Sequence, residues 1–199
     1  MPIQLRHIYK SFGDHNVFTN LNAIFNYNSA TAIMGHSGCG KTTLANLLAR
    51  FIYPDYGEIR GLDSLRVSMV FQEDRLLEQC NALENLLFVT RYPSRNIAHA
   101  KHLLEEAGLR YEANEKRKKA REFSGGMKRR LSLCRALMID FDLLILDEPF
   151  KGLDAKLKPQ IMDMVRRYSK GKTLILITHD EEESRFFKAE IFIPANIAR

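Results

Sequence analysis

No stretch of this 199-residue chain approaches the roughly 18 consecutive apolar residues that a membrane-spanning helix needs. The first residues lack a charged start followed by an apolar core, so no signal peptide is expected. Three cysteines, odd in number and irregularly spaced, do not make a disulfide framework and fit a reducing compartment. Internal repeats and disordered linkers are also missing. These absences leave one large domain, long enough to bury roughly 70% of its unfolded surface. The formal charge of +6 suits an anionic ligand, an anionic membrane surface or nucleic acid, and serves solubility equally well. Aromatic and basic residues are not interleaved as in single-strand binders, so no nucleic-acid partner is expected.

Against that background one stretch stands out. Gly35-His36-Ser37-Gly38-Cys39-Gly40-Lys41-Thr42-Thr43 follows the apolar run Thr31-Ala32-Ile33-Met34, which reads as a short buried strand. It precedes Leu44-Ala45-Asn46-Leu47-Leu48-Ala49, which reads as a helix. Strand, Gly-x4-Gly-Lys-Thr and helix, in that order, are the context of a phosphate-binding loop. The glycines let the backbone curl so that successive N–H groups point at an anion, and the helix adds the positive end of its dipole. Lys41 is expected to reach the β- and γ-phosphates of a nucleotide, and the Thr42 hydroxyl is placed for Mg²⁺. Cys39 reads in two ways. It is either a thiol made alkylable by the helix N-terminus, so that a maleimide inhibits and MgATP protects, or a small filler residue.

Taken in order, Ile3 to Tyr9 reads as a strand with Ile3, Leu5 and His7 on one face. Val17 to Tyr27 reads as a second, antiparallel strand. Beyond the loop helix, Gly57 to Arg60 and Val67 to Phe71 read as strands. Asn81-x-x-Glu84 reads as a capping box opening a helix through Leu87. Ile97 to Ala107 reads as a helix stopped by Gly108. Glu112 to Glu122 is almost all charged. Its basic run, Lys116-Arg117-Lys118-Lys119 with Arg121, is a solvated loop or a contact for anionic lipid headgroups. A helix from Ser124 to about Met138 follows. Leu143–Leu146 and Thr173–Ile177 read as fully apolar strands, Ala155 to Tyr168 and Glu181 to Lys188 as helices, and Ile191–Ile193 as an edge strand. Apolar strands alternating with helices predict an α/β fold with a mostly parallel sheet flanked by helices. An antiparallel opening precedes it and a helical insertion interrupts it.

Phosphoryl transfer asks the protein for a phosphate cradle, a metal, an oriented water and charge compensation. Asp147 ends an apolar strand, where a carboxylate can hold Mg²⁺ opposite Thr42. Glu148 follows it, placed to polarise the attacking water. Gln72 and His179 also sit just beyond strand ends, where open α/β sheets bind ligands; Gln72 is a candidate to touch Mg²⁺ or the attacking water, and His179 to bond the γ-phosphate. Taken alone, Gln72 reads more readily as a solvated side chain and His179 as a structural one.

The phosphate loop, Gln72, Phe123-Ser124-Gly125-Gly126-Met127, Leu146-Asp147-Glu148-Pro149, Gly152-Leu153-Asp154 and His179 occur in that order. Together they resemble the nucleotide-binding domain of an ATP-binding cassette (ABC) ATPase over roughly residues 2 to 188. The resemblance implies a P-loop NTPase fold of the ABC type, forming a single cassette over residues 1–199. Residues 1–72 and 140–199 would be its core, and about 73–139 a helical subdomain carrying the signature. It implies Phe12 (or Tyr9) stacked on adenine and Gly35 to Thr43 as the Walker A motif. Gln72 would be the Q-loop glutamine, Asp147 the Walker B aspartate, Glu148 the catalytic base and His179 the switch histidine. Ser124, Gly125 and Gly126 would meet the γ-phosphate of ATP held by a second cassette, with Asp154 at that dimer interface. The cofactors implied are ATP and Mg²⁺.

Phe71 to Leu77, followed by Glu84-Asn85-Leu86, is similar to the ATPase subunits of nitrate/sulfonate/taurine-type importers, although those have Pro-Trp where Glu78-Gln79 stands. That resemblance implies a separate transmembrane permease, a second cassette (a homodimer), an extracellular solute-binding protein acting indirectly, and a peripheral place on the cytoplasmic face of the membrane. Two departures bear on turnover. Met127 replaces the glutamine that usually closes the signature, and Lys151-Gly152 replaces a small pair before Leu153-Asp154. They motivate the alternative of a degenerate cassette that binds ATP with little turnover. A soluble, non-transport ABC ATPase is a further alternative. A GTPase is disfavoured by the lack of an Asn-Lys-x-Asp motif. The chain ends soon after His179, so no added regulatory domain is expected.

Overall fold

The computed structural model describes residues 2–109 and 118–194. The chain divides into two compact units, Met1–Met69 with Phe141–Glu148 and Ser169–Arg199, and Val70–Asp140 with Pro149–Tyr168. The helical insertion expected from about 73 to 139 thus falls in a unit that also takes in Pro149–Tyr168.

The first unit contains two sheets. Strands β1 (Ile3–Phe12), β2 (His15–Phe25) and β4 (Tyr56–Arg60) form an antiparallel sheet in the order β2-β1-β4. Strands β3 (Ala30–Ile33), β5 (Val67–Val70), β6 (Leu143–Asp147), β7 (Thr173–Ile177) and β8 (Glu190–Phe192) form the other, in the order β5-β6-β7-β3-β8. There β3 runs parallel to both β7 and β8, and β6 runs parallel to β7. Every residue of β6 and β7 is buried, which is why both are continuous apolar runs rather than alternating ones. Helix α1 (Lys41–Leu48) buries Leu44, Leu47 and Leu48 in a core shared with Ile3, Phe18, Ile145 and Ile175. Helix α6 (Glu181–Phe186) follows β7.

The alternation expected in β1 breaks down at His7. The register shifts between Leu5 and Ile8, so Ile3, Leu5 and Ile8 are buried while His7 is exposed with a positive φ of 50°. A bulge of this kind inserts a residue and moves the next apolar side chain back to the core face. Asn20 and Asn22 of β2 hold the distortion. His7 N–H donates to Asn22 Oδ1 at 2.9 Å, and the His7 ring meets Asn20 Oδ1 at 2.7 Å.

The second unit is mainly helical, with α2 (Ala82–Leu87), α3 (Pro93–Glu106), α4 (Gly125–Leu137) and α5 (Lys158–Tyr168). The capping box opens α2 as expected. Glu84 N–H donates to Asn81 Oδ1 at 2.9 Å and Asn81 N–H to Glu84 Oε2 at 2.7 Å. Helix α3 begins four residues before the expected Ile97, because Pro93 occupies its first turn, where a missing N–H costs nothing. Gly108 stops it with φ +63°. Helix α5 starts at Lys158 rather than Ala155, again with a proline, Pro159, inside the first turn. Of the charged segment, Ala120–Glu122 form a 3-10 turn, whereas residues 110–117, including Lys116 and Arg117 of the basic run, lie outside the described residues.

The starts of β5 and β6 are joined by Arg66 and Asp142. Arg66 donates from Nε to Asp142 Oδ2 at 3.0 Å and from Nη2 to Oδ1 at 3.1 Å, and its N–H also donates to Oδ2 at 3.0 Å. These bonds hold the Asp142 carboxyl well below the usual carboxylate range. A depressed pKa contributes stability that is present above the unfolded value of about 4 and lost as pH falls through the folded one. Asp142→Asn is therefore expected to lower the urea midpoint at pH 7, with the deficit against wild type shrinking progressively below about pH 4. A deficit that is constant with pH would show that the ionised pair is not its source.

Candidate nucleotide site

The loop between β3 and α1 turns through glycines in backbone conformations that other residues rarely adopt. Gly35, Gly38 and Gly40 have φ of +147°, +81° and +83°. A side chain at Gly35 would stand 2.7 Å from Cys39 Sγ, and one at Gly40 would stand 2.7 Å from the Phe18 ring and 2.8 Å from Val17 Cγ1. The curl is therefore backed by β2 on one side and by Cys39 within. Gly40 is also the N-cap of α1, and it carries no side chain to occupy the first-turn N–H groups, which leaves them for an anion. His36, Ser37 and Gly38 are exposed at the tip, and Thr43 is half-buried behind it.

Lys41 folds back into this cradle. Its Nζ donates to Gly35 O at 2.9 Å and His36 O at 2.8 Å, and stands 3.8 Å from Cys39 Sγ. Thr42 Oγ1 donates to Asp147 Oδ2 at 2.9 Å. That bond brings the first turn of α1 to the end of β6, and Asp147 is itself buried.

Glu148 stands next, with a left-handed φ of 46°. Its N–H donates to Ile177 O at 2.9 Å, so the strand pairing continues through the turn. Its Oε1 lies 3.5 Å from Nδ1 of His179, whose side chain is 71% exposed. A non-glycine residue held at positive φ beside a pair of polar side chains is the form that stored strain takes at functional sites. The His179 loop is fixed from behind: Thr178 Oγ1 donates to Glu183 Oε2 at 2.6 Å, and Asp180 N–H donates to Thr178 Oγ1 at 3.0 Å.

Phe12, at the end of β1, is 51% exposed, with Lys10 Nζ 5.4 Å from its ring centroid. Lys10 is in turn tied to Asp55, which it meets at 2.7 Å and which also accepts from Ser11 N–H at 2.7 Å. Those bonds lower the Asp55 pKa, the Lys10 hydrogen bond contributing most. Tyr9 already has an aromatic partner, Tyr56, edge-on at 6.4 Å.

The remaining candidates belong to the second unit. Gln72 is exposed in the loop after β5. Ser124 is the N-cap of α4, its Oγ accepting from Met127 N–H at 3.3 Å. Gly125 faces open space, and a side chain at Gly126 would stand 3.4 Å from Gly152 O. Asp154 Oδ1 accepts from Lys156 N–H at 2.8 Å, holding the turn before α5.

Within the first unit the structure thus brings together Lys41, Thr42, Asp147, Glu148 and His179. Within the second it brings the Ser124–Gly126 segment beside Gly152. Sequence reading missed the groups that hold these side chains: Asp55 behind Phe12, Glu183 behind His179, and Val17 and Phe18 behind Gly40. Each is an ordinary residue in its own segment and acquires its role only from what it touches.

A glycine-lined turn with an inward lysine, entering an uncapped helix whose first hydroxyl meets a strand-end aspartate, defines a phosphate-loop nucleoside-triphosphate-binding protein. The chain belongs to the ABC transporter family, whose profile matches residues 18–151. It is 34% identical over 206 residues to the taurine import ATP-binding protein TauB of Escherichia coli (strain K12), covering 96% of this chain and 78% of TauB. It is 38% identical over 198 residues to the Nod factor export ATP-binding protein I of Burkholderia lata, covering 92% of this chain and 64% of that protein. Among solved structures, it superposes with a TM-score of 0.85 and 25% identity on the dimeric, post-hydrolysis ATP-binding cassette MJ0796 bound to ADP and Pi. That match covers 99% of this chain and 97% of the other.

The burial of Cys39 supports the filler reading over the reactive thiol. The residue is 1% exposed, enclosed where Gly35 closes on the loop. Cys134 is fully buried and its thiol is pushed up to about 12 by desolvation, so it stays protonated and unreactive near neutral pH. Cys80 is half-buried. Maleimide is accordingly expected to label Cys80 in the native protein and the other two only after denaturation, read by mass spectrometry of digests. Rapid loss of ATPase activity that Cys39→Ala prevents would overturn this order of reactivity.

Proposed function

We propose that this chain is the ATP-hydrolysing subunit of a transporter, which drives solute through a separate membrane permease by closing against a second cassette. The observation that carries the reading is the bond between Thr42 and Asp147, 105 residues apart in sequence, at 2.9 Å beside the inward Lys41. Two hard oxygens so placed suit Mg²⁺, which prefers carboxylate, hydroxyl, water and phosphate oxygens. Thr42 and Asp147 would hold it, with Gln72 a further ligand, and when bound it neutralises charge on the phosphate oxygens.

The protein's own groups do the rest. The loop N–H groups from Gly35 to Thr43 and the Lys41 ammonium bind phosphate oxygens. Lys41 exchanges its bonds to the Gly35 and His36 carbonyls for bonds to the ligand. Phe12 offers its exposed ring to the adenine. Glu148 accepts a proton from the attacking water as its oxygen approaches the γ-phosphorus, and His179 orients Glu148 and the γ-phosphate. The Ser124 hydroxyl and the N–H groups of Gly125 and Gly126 face the γ-phosphate held by the second cassette, and Asp154 lies at that interface. One chain supplies one phosphate loop and one signature, so hydrolysis needs two chains arranged head to tail, a homodimer in the simplest case.

Import is the direction that TauB supports, since the chain spans most of TauB and less than two thirds of the export protein. An importer subunit would work with an extracellular solute-binding protein and sit on the cytoplasmic face of the membrane. No helix among the described residues is long and apolar enough to cross a membrane, which accords with a separate permease.

Glu148→Gln tests the reading. Its turnover is expected to fall by about 10²- to 10⁴-fold, the range of a lost general base. MgATP is expected to shift it from monomer to dimer on gel filtration. Wild-type turnover in Glu148→Gln would overturn the assignment of the base. If wild type shows no ATPase activity and neither protein dimerises, adding the permease separates an obligate partner from a degenerate cassette.

A further inference from the structure

The loop that carries Gln72 is held by the helix that carries the Ser-Gly-Gly segment. Arg129, in the second turn of α4, is only 8% exposed although it sits in the basic stretch Lys128-Arg129-Arg130. Its Nη1 donates to Phe71 O at 2.8 Å and its Nη2 donates to Gln72 O. Nη1 also stands 3.3 Å from Asp74 Oδ1. Arg135, further along α4, donates from Nη2 to Asp74 O at 3.1 Å. The Arg75 guanidinium stacks on the Phe71 ring, 3.8 Å from its centroid. The carbonyls of Phe71, Gln72 and Asp74 are thus all taken by guanidinium groups of one helix.

We propose that Arg129 is a positioning residue for Gln72, making the Gln72 loop and the Ser124-bearing helix one mechanical piece. Only a guanidinium can do this. Its planar fork aims two N–H groups at two successive carbonyls while keeping a charge beside Asp74, whereas a lysine ammonium offers one centre. Displacement of α4 then carries the Gln72 backbone with it. A signal arriving at Ser124 reaches Gln72 without passing through the side chains of the phosphate loop. This rests on the reading of Gln72 as a group that acts in hydrolysis.

The test is a double-mutant cycle in steady-state ATPase kinetics. It uses Arg129→Met, Gln72→Ala and the double variant, with Arg129→Lys as a second probe that keeps the charge and removes the fork. Circular dichroism checks that each is folded. Arg129→Met is expected to lower kcat by about 10- to 100-fold, the cost of a small misplacement, with the KM for ATP changed less than about 2-fold. Arg129→Lys is expected to recover little. In the Gln72→Ala background Arg129→Met is expected to have no further effect, because the group it positions is gone. Hydrogen exchange of the amides from Phe71 to Leu77 is expected to quicken in both arginine variants. An equal loss of kcat in both backgrounds would show that Arg129 acts independently of Gln72 and would overturn the proposal. Unchanged exchange in Arg129→Met would overturn the clamp itself. Wild-type turnover in Gln72→Ala would instead overturn the reading of Gln72, and with it the catalytic purpose of the clamp, while faster exchange would still report the clamp.

Discussion

Gly40 sits where the chain turns from β3 into α1, and the space its side chain would need is already filled by Phe18 and Val17 of β2. The turn is therefore tight because a neighbouring sheet presses on it. Only a left-handed, side-chain-free residue satisfies both the packing and the torsion. From this one constraint follow the uncapped start of α1, the reach of Lys41 to the Gly35 and His36 carbonyls, and the place of Thr42 against Asp147. The three-stranded antiparallel sheet is thus the back wall of the cradle, a task its own sequence does not advertise.

The same logic of support from behind recurs through the molecule. Phe12 stands exposed, but Asp55 anchors the residues before it through Lys10 and the Ser11 N–H. His179 stands exposed, but Thr178 beneath it is bonded to the buried Glu183. Gln72 stands exposed, but its carbonyl is taken by Arg129. In each case the group that meets solvent is held through its own or a neighbouring backbone by a partner with little exposure or a charge. Its position is then set by the fold rather than by its own rotamer preferences.

What could be read from the chain, and what could not, divides along this line. The loop from Gly35 to Thr43, the buried strands ending at Asp147 and Ile177, the capping box at Asn81 and the Ser124 N-cap are local patterns, and each lies where local pattern places it. The failures are tertiary. Alternation alone puts His7 on one face of β1 with Ile3 and Leu5, but the bulge that moves it off that face depends on Asn20 and Asn22 of the neighbouring strand. The early start of α3 was hidden because Pro93 reads as a breaker until it is seen in the first turn. Arg129 looks like one of three basic residues facing water, and its burial becomes visible only when the Phe71 and Gln72 carbonyls are found opposite it.

Glu148 holds its left-handed backbone without the freedom of a glycine or the tolerance of an asparagine. Such a torsion costs on the order of 1–3 kcal/mol, which the pairing of its N–H with Ile177 O and the packing of β6 must outweigh. Fold stability and the proposed role of base therefore pull this position in opposite directions. Selection for yield or heat resistance alone would drive residue 148 toward glycine, and a carboxylate kept there at that cost is what the proposed role requires.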